Sequence, residues 1–382
     1  MASSDLMTPK ELKARLPRAA FAFRGYNVTN LGRSQELLAH PRYGARVEEC
    51  LQQASRVCSE ITGRDVDLVD RVRHARHTTL ETYADAIALI MAMEKAQIAL
   101  LDEFFGIDMR DAQLSMGYSL GEVSAVALSG VMKLEDAMTV PLALARDSID
   151  LAHDVGLGVL FSRGQSLPLD QVKKICLEIN QAGEGVIGIS AILSPNSLLL
   201  MGQGETLDRF KGRLEEFSTH VNLKKKGTQF PPMHTPIVWQ RNIPNRAAVL
   251  MQTIEGGLAA PDPPVLSLVT GDYSYNDHNA RALLEEWTDH PQLLWDAVYE
   301  TLRAGVDLIV HVGPEPNIMP ATFTRLQDNV EAETKGKIGM RALKAVVHHP
   351  WIKLLLPERT ALLRAPQVRQ LILEDWLLSQ PA

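Results

Sequence analysis

The sequence feature that most constrains the fold is a serine with one glycine two residues before it and another two residues after it. The segment reads Gly117-Tyr118-Ser119-Leu120-Gly121 and joins a short apolar stretch to an apolar helical pattern. It predicts a strand over 112–116, a sharp turn at Ser119 and a helix that starts near Gly121. The glycines leave the serine hydroxyl open, and the first N–H groups of the helix face the same space. Acyl transfer needs this geometry, but the motif alone is unspecific. The surrounding sequence must therefore show whether Ser119 has this function.

Composition and charge argue against several classes of protein. With 382 residues, of which 46% are hydrophobic and 22% charged, the chain can form a large domain with an insert or a second lobe. A net charge of −7 argues against nucleic acid as the main partner. The longest apolar stretch, 86–92, is too short to cross a bilayer, and residues 1–5 do not resemble a signal peptide. We therefore expect a cytoplasmic protein without a membrane partner.

The cysteines and histidines give no sign of a metal centre. Cys50, Cys58 and Cys176 are too few and too scattered for a disulfide framework or a zinc site. The paired histidines of the chain lack cysteine or carboxylate partners at ligand spacing. The sequence therefore predicts a reducing compartment and no bound metal.

The order of predicted elements changes along the chain and indicates two lobes and a tail. Residues 1–155 and 218–334 alternate strands and helices, as in a large α/β domain with a mostly parallel sheet. Between them, 156–217 reads strand, helix, strand, strand, helix, which predicts an inserted ferredoxin-like lobe. The tail, 335–382, carries eight Lys and Arg against three Asp and Glu. Its pattern predicts a basic helical extension with helices at 351–356 and 368–378.

A serine that transfers acyl groups needs a general base, and His234 stands in an unusual place for one. It follows Pro231 and Pro232, which restrict the backbone, and it comes soon after the predicted small lobe. The chain has eleven histidines, so this position is the only reason to prefer it. A buried histidine with a purely structural role is the alternative.

Further segments add to the serine motif and His234 and occur in a recognisable order. They are Phe21-Ala22-Phe23-Arg24-Gly25, Ser129-Gly130, Glu135-Asp136-Ala137, the segment 291–295 and Val312-Gly313-Pro314. Together they resemble the malonyl-CoA:acyl-carrier-protein transacylase family, which includes the acyltransferase domains of fatty acid and polyketide synthases. The landmarks keep family order and nearly family spacing from residue 19 to about 326. The resemblance implies a large α/β-hydrolase-like domain, an inserted ferredoxin-like lobe and an active site between them.

The resemblance also implies roles for individual residues. Ser119 would be the nucleophile and His234 the general base, while the backbone N–H groups of Leu120 and Tyr26 would form the oxyanion hole. The main-chain carbonyl of Trp287 would orient the histidine. The reaction would move a malonyl or related acyl group from coenzyme A to the phosphopantetheine thiol of an acyl carrier protein. Acyl-CoA and the carrier protein are then the partners, and no cofactor is needed beyond the coenzyme A thioester that serves as substrate.

Other positions depart from the family pattern. The family's first loop is usually P-G-Q-G-S-Q, whereas this chain has Arg24-Gly25-Tyr26-Asn27-Val28-Thr29. Tyr83 stands where the family has a second pocket glutamine, and Tyr118 replaces the usual histidine before the nucleophile. Tyr83 and Tyr118 are thus candidates to narrow the acyl pocket, or simple packing residues.

The arginine that holds a malonyl carboxylate in the family is the most important difference. Counting 25 residues from the nucleophile gives Leu144, and Arg146 follows two residues later. Two residues rotate a helix by about 200°, so Arg146 reaches the pocket only if the helix is adjusted, for example near Pro141. We expect Arg146 to be the clamp and malonyl-CoA to be preferred. If Leu144 holds the position instead, a neutral acyl group is expected.

Two other functions remain compatible with the sequence. One is a hydrolase, either an editing acyl-thioesterase on the same fold or an esterase that uses His311 or His348 as its base. The other is a carrier-protein-binding module whose altered first loop has lost activity. The presence of both Ser119 and His234 argues against the second.

Overall fold

Two sheets organise the molecule, which is described here by a computed structural model covering residues 7–163, 165–334, 355 and 359–381. In those residues the strands are β1 (Ala19–Phe23), β2 (Leu114–Gly117), β3 (Val155–Ser162), β4 (Ile187–Ser194), β5 (Ser197–Gln203), β6 (Val221–Lys226), β7 (Val265–Leu266), β8 (Leu308–Val312) and β9 (Arg369–Ile372). The first sheet has the order β7-β2-β1-β8-β9 and the second the order β4-β5-β3-β6.

Helices cover the first sheet and pack around the second. They are α1 (Pro9–Arg15), α2 (Ser34–Ala39), α3 (Gly44–Thr62), α4 (Leu68–Arg73), α5 (Tyr83–Phe105), α6 (Leu120–Leu128), α7 (Leu134–Ala152), α8 (Leu169–Gln181), α9 (Thr206–Gly212), α10 (Ile243–Thr253), α11 (Ala280–Glu286), α12 (Leu294–Arg303), α13 (Ile318–Thr334) and α14 (Leu373–Ser379). Short 3-10 turns join several of them.

Every strand pair in the first sheet is parallel. The sequence of β1, Ala-Ala-Phe-Ala-Phe, is apolar throughout and buried at each position, as expected for a parallel strand covered on both faces. In the pairing register, Phe23 lies opposite Gly117 of β2 and opposite Val312 of β8. The loops that follow β1, β2 and β8 therefore meet at one edge of the sheet, which is where α/β proteins place their ligands.

The second sheet is antiparallel and belongs to the small lobe. Its chain order, β3-α8-β4-β5-α9-β6, together with its strand order, is the ferredoxin-like arrangement. The lobe has its own core, built around the fully buried Phe210 of α9. The predicted boundary at residue 217 falls one strand short, because β6 pairs with β3 as the fourth strand.

The tail differs from the predicted basic helical extension. Residues 369–372, predicted to be helical, form β9 and pair in parallel with β8, and α14 begins only at Leu373. An unpaired β8 edge would leave N–H and C=O groups without partners, and this pairing removes that cost. The other predicted helix, 351–356, lies outside the described residues except for Leu355. Among the described helices, none has the length and apolar content that crossing a bilayer requires.

We predict that Trp376→Ala lowers the free energy of unfolding by about 3–5 kcal/mol, as large truncations in a core do. Trp376 is 1% exposed, meets the ring of Phe105 edge to face with centroids 4.9 Å apart, and donates from Nε1 to Met7 O at 2.6 Å. Urea unfolding measures the change. The control is Leu363→Ala, at a position 45% exposed, which should stay within about 0.5 kcal/mol of the parent. Equal effects of the two variants would show that α14 is not part of the core.

Candidate active site

The turn between β2 and α6 holds Ser119 in an unusual backbone conformation. Its φ is 54° and its ψ is −121°, a region that residues with a side chain rarely adopt. Gly121 permits the sharp turn, because a Cβ there would lie 2.3 Å from the carbonyl oxygen of Phe23 at the end of β1. The serine hydroxyl is therefore presented at the loop-bearing edge of the sheet, as the motif predicts.

Glu122 anchors the helix that follows the serine. Its carboxylate is fully buried and accepts hydrogen bonds from Ser267 Oγ at 2.6 Å, Leu268 N at 3.0 Å and Tyr275 Oη at 2.9 Å. Burial raises the pKa of Glu122 to about 7, and these donors oppose the rise. The first turn of α6 is thereby tied to the segment after β7.

Ser119, His234 and Trp287 form a connected line of hydrogen bonds. Ser119 Oγ lies 2.7 Å from His234 Nε2, and His234 Nδ1 lies 2.7 Å from the carbonyl oxygen of Trp287. A carbonyl oxygen can only accept, so Nδ1 carries the proton and Nε2 is free to accept from the serine. The indole Nε1 of Trp287 also donates to Ser119 O at 2.7 Å. The structure thus brings together the three residues for which the family resemblance implied the roles of nucleophile, base and orienting carbonyl.

His234 is held by its own backbone and by burial. Its φ is 66°, and its N–H donates to Thr288 O at 2.8 Å, next to the carbonyl that receives Nδ1. Burial lowers the pKa of His234 to about 4, while the Trp287 carbonyl and Asp289 oppose the change. The ring is therefore neutral at physiological pH and can take up a proton.

The two predicted oxyanion donors flank the serine. Leu120 is the first residue of α6, so its N–H has no acceptor within the helix. Tyr26 lies in the loop after β1, and its N–H donates to no other group in the part of the chain that is described. Gly25 lets this loop approach, because a Cβ there would lie 2.5 Å from Tyr118 O and 3.1 Å from Ser119 Cβ.

A buried arginine shapes the loop that carries Tyr26. Arg24 is fully buried and donates from Nε to Gly25 O at 2.8 Å, from Nη2 to Asn30 Oδ1 at 2.7 Å, and from Nη1 to Pro314 O. Burial lowers the pKa of Arg24 to about 10, so it stays charged at neutral pH. It joins the loop after β1 to the turn after β8. The sequence marked Arg24 as a departure from the family but assigned it no role.

Gln292 is a site residue that sequence reasoning missed. Its Oε1 accepts from Ser119 N at 2.8 Å, and its Nε2 lies 3.4 Å from His234 Nδ1. Its backbone pairs with β4 of the small lobe, donating to Ser190 O and accepting from Ile192 N, each at 2.9 Å. Gln292 therefore joins the two lobes at the serine. The segment 291–295 was noted as a family landmark, but a lone glutamine after a proline carries no signal of this role.

A cavity of about 270 Å³ opens beside Ser119 and His234, between the two lobes. The predicted pocket residues Tyr83 and Tyr118 line it, and so does Tyr26. Small-lobe strands contribute Leu157, Val159, Leu199 and Met201, and the segment after β6 contributes Phe230, Pro231 and Met233. The walls are therefore mainly aromatic and aliphatic.

Arg146, the predicted carboxylate clamp, does not line this cavity, and neither does Leu144. The helix α7 runs without interruption from Leu134 to Ala152 with Pro141 inside it, so no adjustment turns Arg146 inward. Leu144 is buried, and Ser148, one turn further, contacts Met233 Sδ at 3.4 Å. Arg146 is two residues from Leu144 and exposed. The clamp assignment is wrong, because the rotation of a regular helix places this side chain on the outer face.

The alternative bases and a metal site find no support in the described residues. His311 lies in β8, where its Nε2 is 3.1 Å from Gln370 Oε1 and its ring faces Phe323, and it does not line the cavity. His348 lies outside the described residues. Within the described ranges there is no group of three or more His, Cys, Asp or Glu that could hold a metal ion.

Sequence comparison relates the chain to polyketide synthases. No protein-family model matches it. The polyketide synthase GfsE of Streptomyces halstedii is 23% identical over 279 residues, which are 71% of this chain and 7% of that protein. The highly reducing polyketide synthase PKS6 of Gibberella zeae is 23% identical over 318 residues, or 80% of this chain and 12% of that protein. The chain thus spans only a small part of each relative.

Solved structures share the fold over most of the chain. FabD from Acinetobacter baumannii matches with a TM-score of 0.64 and 15% identity, over 92% of this chain and 99% of that one. The acyltransferase domain from module 8 of the salinomycin polyketide synthase matches with a TM-score of 0.63 and 19% identity. The match covers 93% of this chain and 78% of that one. A malonyl-transacylase in complex with a type II polyketide synthase acyl-carrier protein matches with a TM-score of 0.61 and 20% identity. The match covers 80% of this chain and 92% of that one. The acyltransferase fold predicted from the resemblance is confirmed.

We predict that Ser119 reacts with a fluorophosphonate at a rate that is level from about pH 8 to about pH 5 and falls near pH 4. The buried His234, whose pKa is about 4, accepts a proton on Nε2 only below that pH and then no longer accepts from Ser119. Intact-mass spectrometry measures the rate, Ser119→Ala gives the background, and circular dichroism checks folding at each pH. An inflection near 6.5, the ordinary pKa of histidine, would contradict the burial argument.

We predict that Gln292→Glu moves this inflection upward, to above about pH 5, because a carboxylate beside the imidazole favours its charged form. An acceptor for Ser119 N remains, so the shift reports the contact with His234 rather than loss of the turn. The matched variant Gln292→Leu removes the acceptor and should slow the reaction at every pH without moving the inflection. An unshifted profile in Gln292→Glu would place Gln292 outside the electrostatic environment of His234.

Proposed function

We propose that the chain is an acyltransferase that moves an acyl group from coenzyme A to the phosphopantetheine thiol of an acyl carrier protein through an acyl-Ser119 intermediate. The observation that carries the proposal is the line of hydrogen bonds from Ser119 through His234 to the Trp287 carbonyl, placed at an apolar cavity. Nucleophile, base and orienting group are within hydrogen-bond reach of one another, which covalent catalysis requires. The shared acyltransferase fold adds to this support.

In the first half of the reaction, Ser119 Oγ attacks the carbonyl carbon of the thioester while its proton moves to His234 Nε2. The N–H groups of Leu120 and Tyr26 hold the negative charge that develops on the carbonyl oxygen. The carbon–sulfur bond then breaks, and the coenzyme A thiolate leaves with the proton from Nε2. Acyl-Ser119 and free coenzyme A result.

The second half repeats these steps with the carrier thiol as nucleophile. Its proton moves to His234 Nε2 as the sulfur attacks the acyl-serine carbonyl, and the same two N–H groups hold the oxyanion. The bond to Ser119 Oγ breaks, and Oγ takes the proton back from Nε2. The apolar walls of the cavity disfavour ordered water near the ester, which favours transfer over hydrolysis.

A second cleft supports the proposal that coenzyme A is the acyl donor and that the phosphopantetheine of a carrier protein is the acceptor. Its volume is about 620 Å³, and it shares Val159, Leu199, Lys226 and Ile318 with the cavity at Ser119. Arg163, Lys226 and Arg325 line it, and among its described lining residues none is acidic. Both proposed substrates carry phosphate groups that need cationic partners, which these side chains offer.

The carrier protein as acceptor rests on similarity. One neighbour in fold is a malonyl-transacylase solved with its acyl-carrier protein, and the curated relatives are polyketide synthases. A cofactor is not part of the proposal, because the thioester substrate supplies the activated acyl group. The proposal does not specify a malonyl group, since Arg146 does not line the cavity.

We predict that Ser119→Ala abolishes the acyl adduct formed on incubation with acyl-CoA esters. For His234→Ala we expect acylation to slow by at least ~10²-fold, the scale of general-base catalysis. Intact-mass spectra after timed quenching measure both. Thr139→Ala, which removes a half-buried hydroxyl on α7 that donates to Asp136 O at 2.7 Å and does not line the cavity, is the matched control and should behave like the parent. An adduct that persists in Ser119→Ala would disprove the nucleophile assignment.

Radiolabelled acyl-CoA with and without holo carrier protein distinguishes transfer from its alternatives. We expect label to move from the enzyme to the carrier, with little free acid. Release of free acid at the same rate in both mixtures would indicate a hydrolase. Carrier binding without any acyl-enzyme would indicate a non-catalytic binding module.

A further inference from the structure

The cavity beside Ser119 carries an aromatic cluster, which we define as Tyr26, Tyr83 and Phe230. The rings of Tyr26 and Tyr83 meet edge to face with centroids 4.7 Å apart, and the ring of Phe230 lies 6.1 Å from that of Tyr26. Tyr26 comes from the loop after β1, Tyr83 from the start of α5 and Phe230 from the segment after β6. Three separate parts of the chain thus converge to build an apolar wall next to the nucleophile.

Fixed charge is scarce in this cavity. Among the described residues that line it, Lys226 alone carries a permanent charge, and it lies exposed at the end of β6, where it also borders the wider cleft. His234 is neutral because burial lowers its pKa to about 4. The buried face of α7, near Met233, presents Leu144 and Ser148, and Arg146 is on the outer face.

We propose that the acyl group carried by this chain is an uncharged alkanoyl chain seated on the aromatic cluster, and not malonyl. The inference rests on the proposed acyltransferase function. A malonyl carboxylate against the aromatic cluster would lose its water, and the fixed cation among the described lining residues, Lys226, lies exposed at the end of β6 rather than among these rings, so the burial is strongly unfavourable. An alkyl chain of the same size gains from the same burial. Tyr83 and Phe230 are the residues that determine this specificity.

The sharpest comparison uses isovaleryl-CoA and malonyl-CoA, because the two acyl groups have the same number of non-hydrogen atoms and differ in charge. We expect isovaleryl to acylate Ser119 at least about tenfold faster under single-turnover conditions. Within the straight-chain series acetyl, butyryl and hexanoyl, kcat/KM should rise with length by up to about fourfold per methylene until the cavity is filled.

Two variants at Phe230, which is half-buried, test the origin of the preference. Phe230→Arg places a cation on the aromatic wall and should raise the malonyl-to-isovaleryl ratio by about tenfold or more. Phe230→Gln removes the ring without adding charge, so it should slow isovaleryl transfer and leave malonyl transfer low. Arg146→Ala should leave the ratio unchanged, because this side chain is exposed and away from the cavity.

The outcomes separate this inference from the function on which it rests. A parent enzyme that acylates Ser119 faster with malonyl-CoA than with isovaleryl-CoA overturns the inference and leaves the acyltransferase proposal standing. A malonyl activity that is lost in Lys226→Ala or in Arg146→Ala overturns it in the same way and identifies the clamp. Failure of every CoA ester to acylate a Ser119 that still reacts with fluorophosphonate overturns both proposals.

Discussion

The strained turn at Ser119 is the constraint on which the rest of the site depends. A positive φ at a residue with a side chain is unfavourable by itself and persists only where the surroundings hold it. Here Gly121 lets α6 start against β1, Gln292 accepts the N–H of the serine, and the Trp287 indole donates to its carbonyl. Each of these contacts also orders a second part of the site, so the conformation of Ser119 and the position of His234 are not independent.

The junction between the lobes gives the site its chemistry. Gln292 pairs through its backbone with β4 of the small lobe and through its side chain with Ser119 of the large one. The small lobe in turn supplies the aliphatic walls of the cavity, and the large lobe supplies Ser119 and the loop that carries Tyr26. A shift of one lobe against the other would therefore change cavity shape and nucleophile geometry together.

The sequence predicted the parts of the structure that depend on local pattern. The short strand before Ser119, the elbow at Ser119 and the ferredoxin-like lobe all follow from short apolar runs, glycine placement and element order. The pairing of Ser119 with His234, 115 residues apart, was inferred from the position of His234 after Pro231 and Pro232 and from the family resemblance, because sequence spacing carries no distance information. Where the local sequence pattern predicted the wrong secondary structure, tertiary contacts had determined the observed one. Residues 369–372 read as helix but form β9, because the edge of β8 offers them backbone partners.

By itself, then, the sequence predicted a serine elbow and two lobes, because these depend on glycine placement, apolar period and element order. It offered His234 as a candidate base through its position and the family resemblance. Only the tertiary structure decided which side chains line the cavity beside Ser119. Arg146 and Leu144 are two residues apart, and a helix turns by about 200° over that distance, so the choice between a charged and an apolar pocket depends on the orientation of α7. That orientation is set by packing, which leaves Leu144 buried and Arg146 in solvent. The role of Gln292 in joining the two lobes at Ser119 likewise depends on tertiary structure, because its contacts form where the two lobes meet.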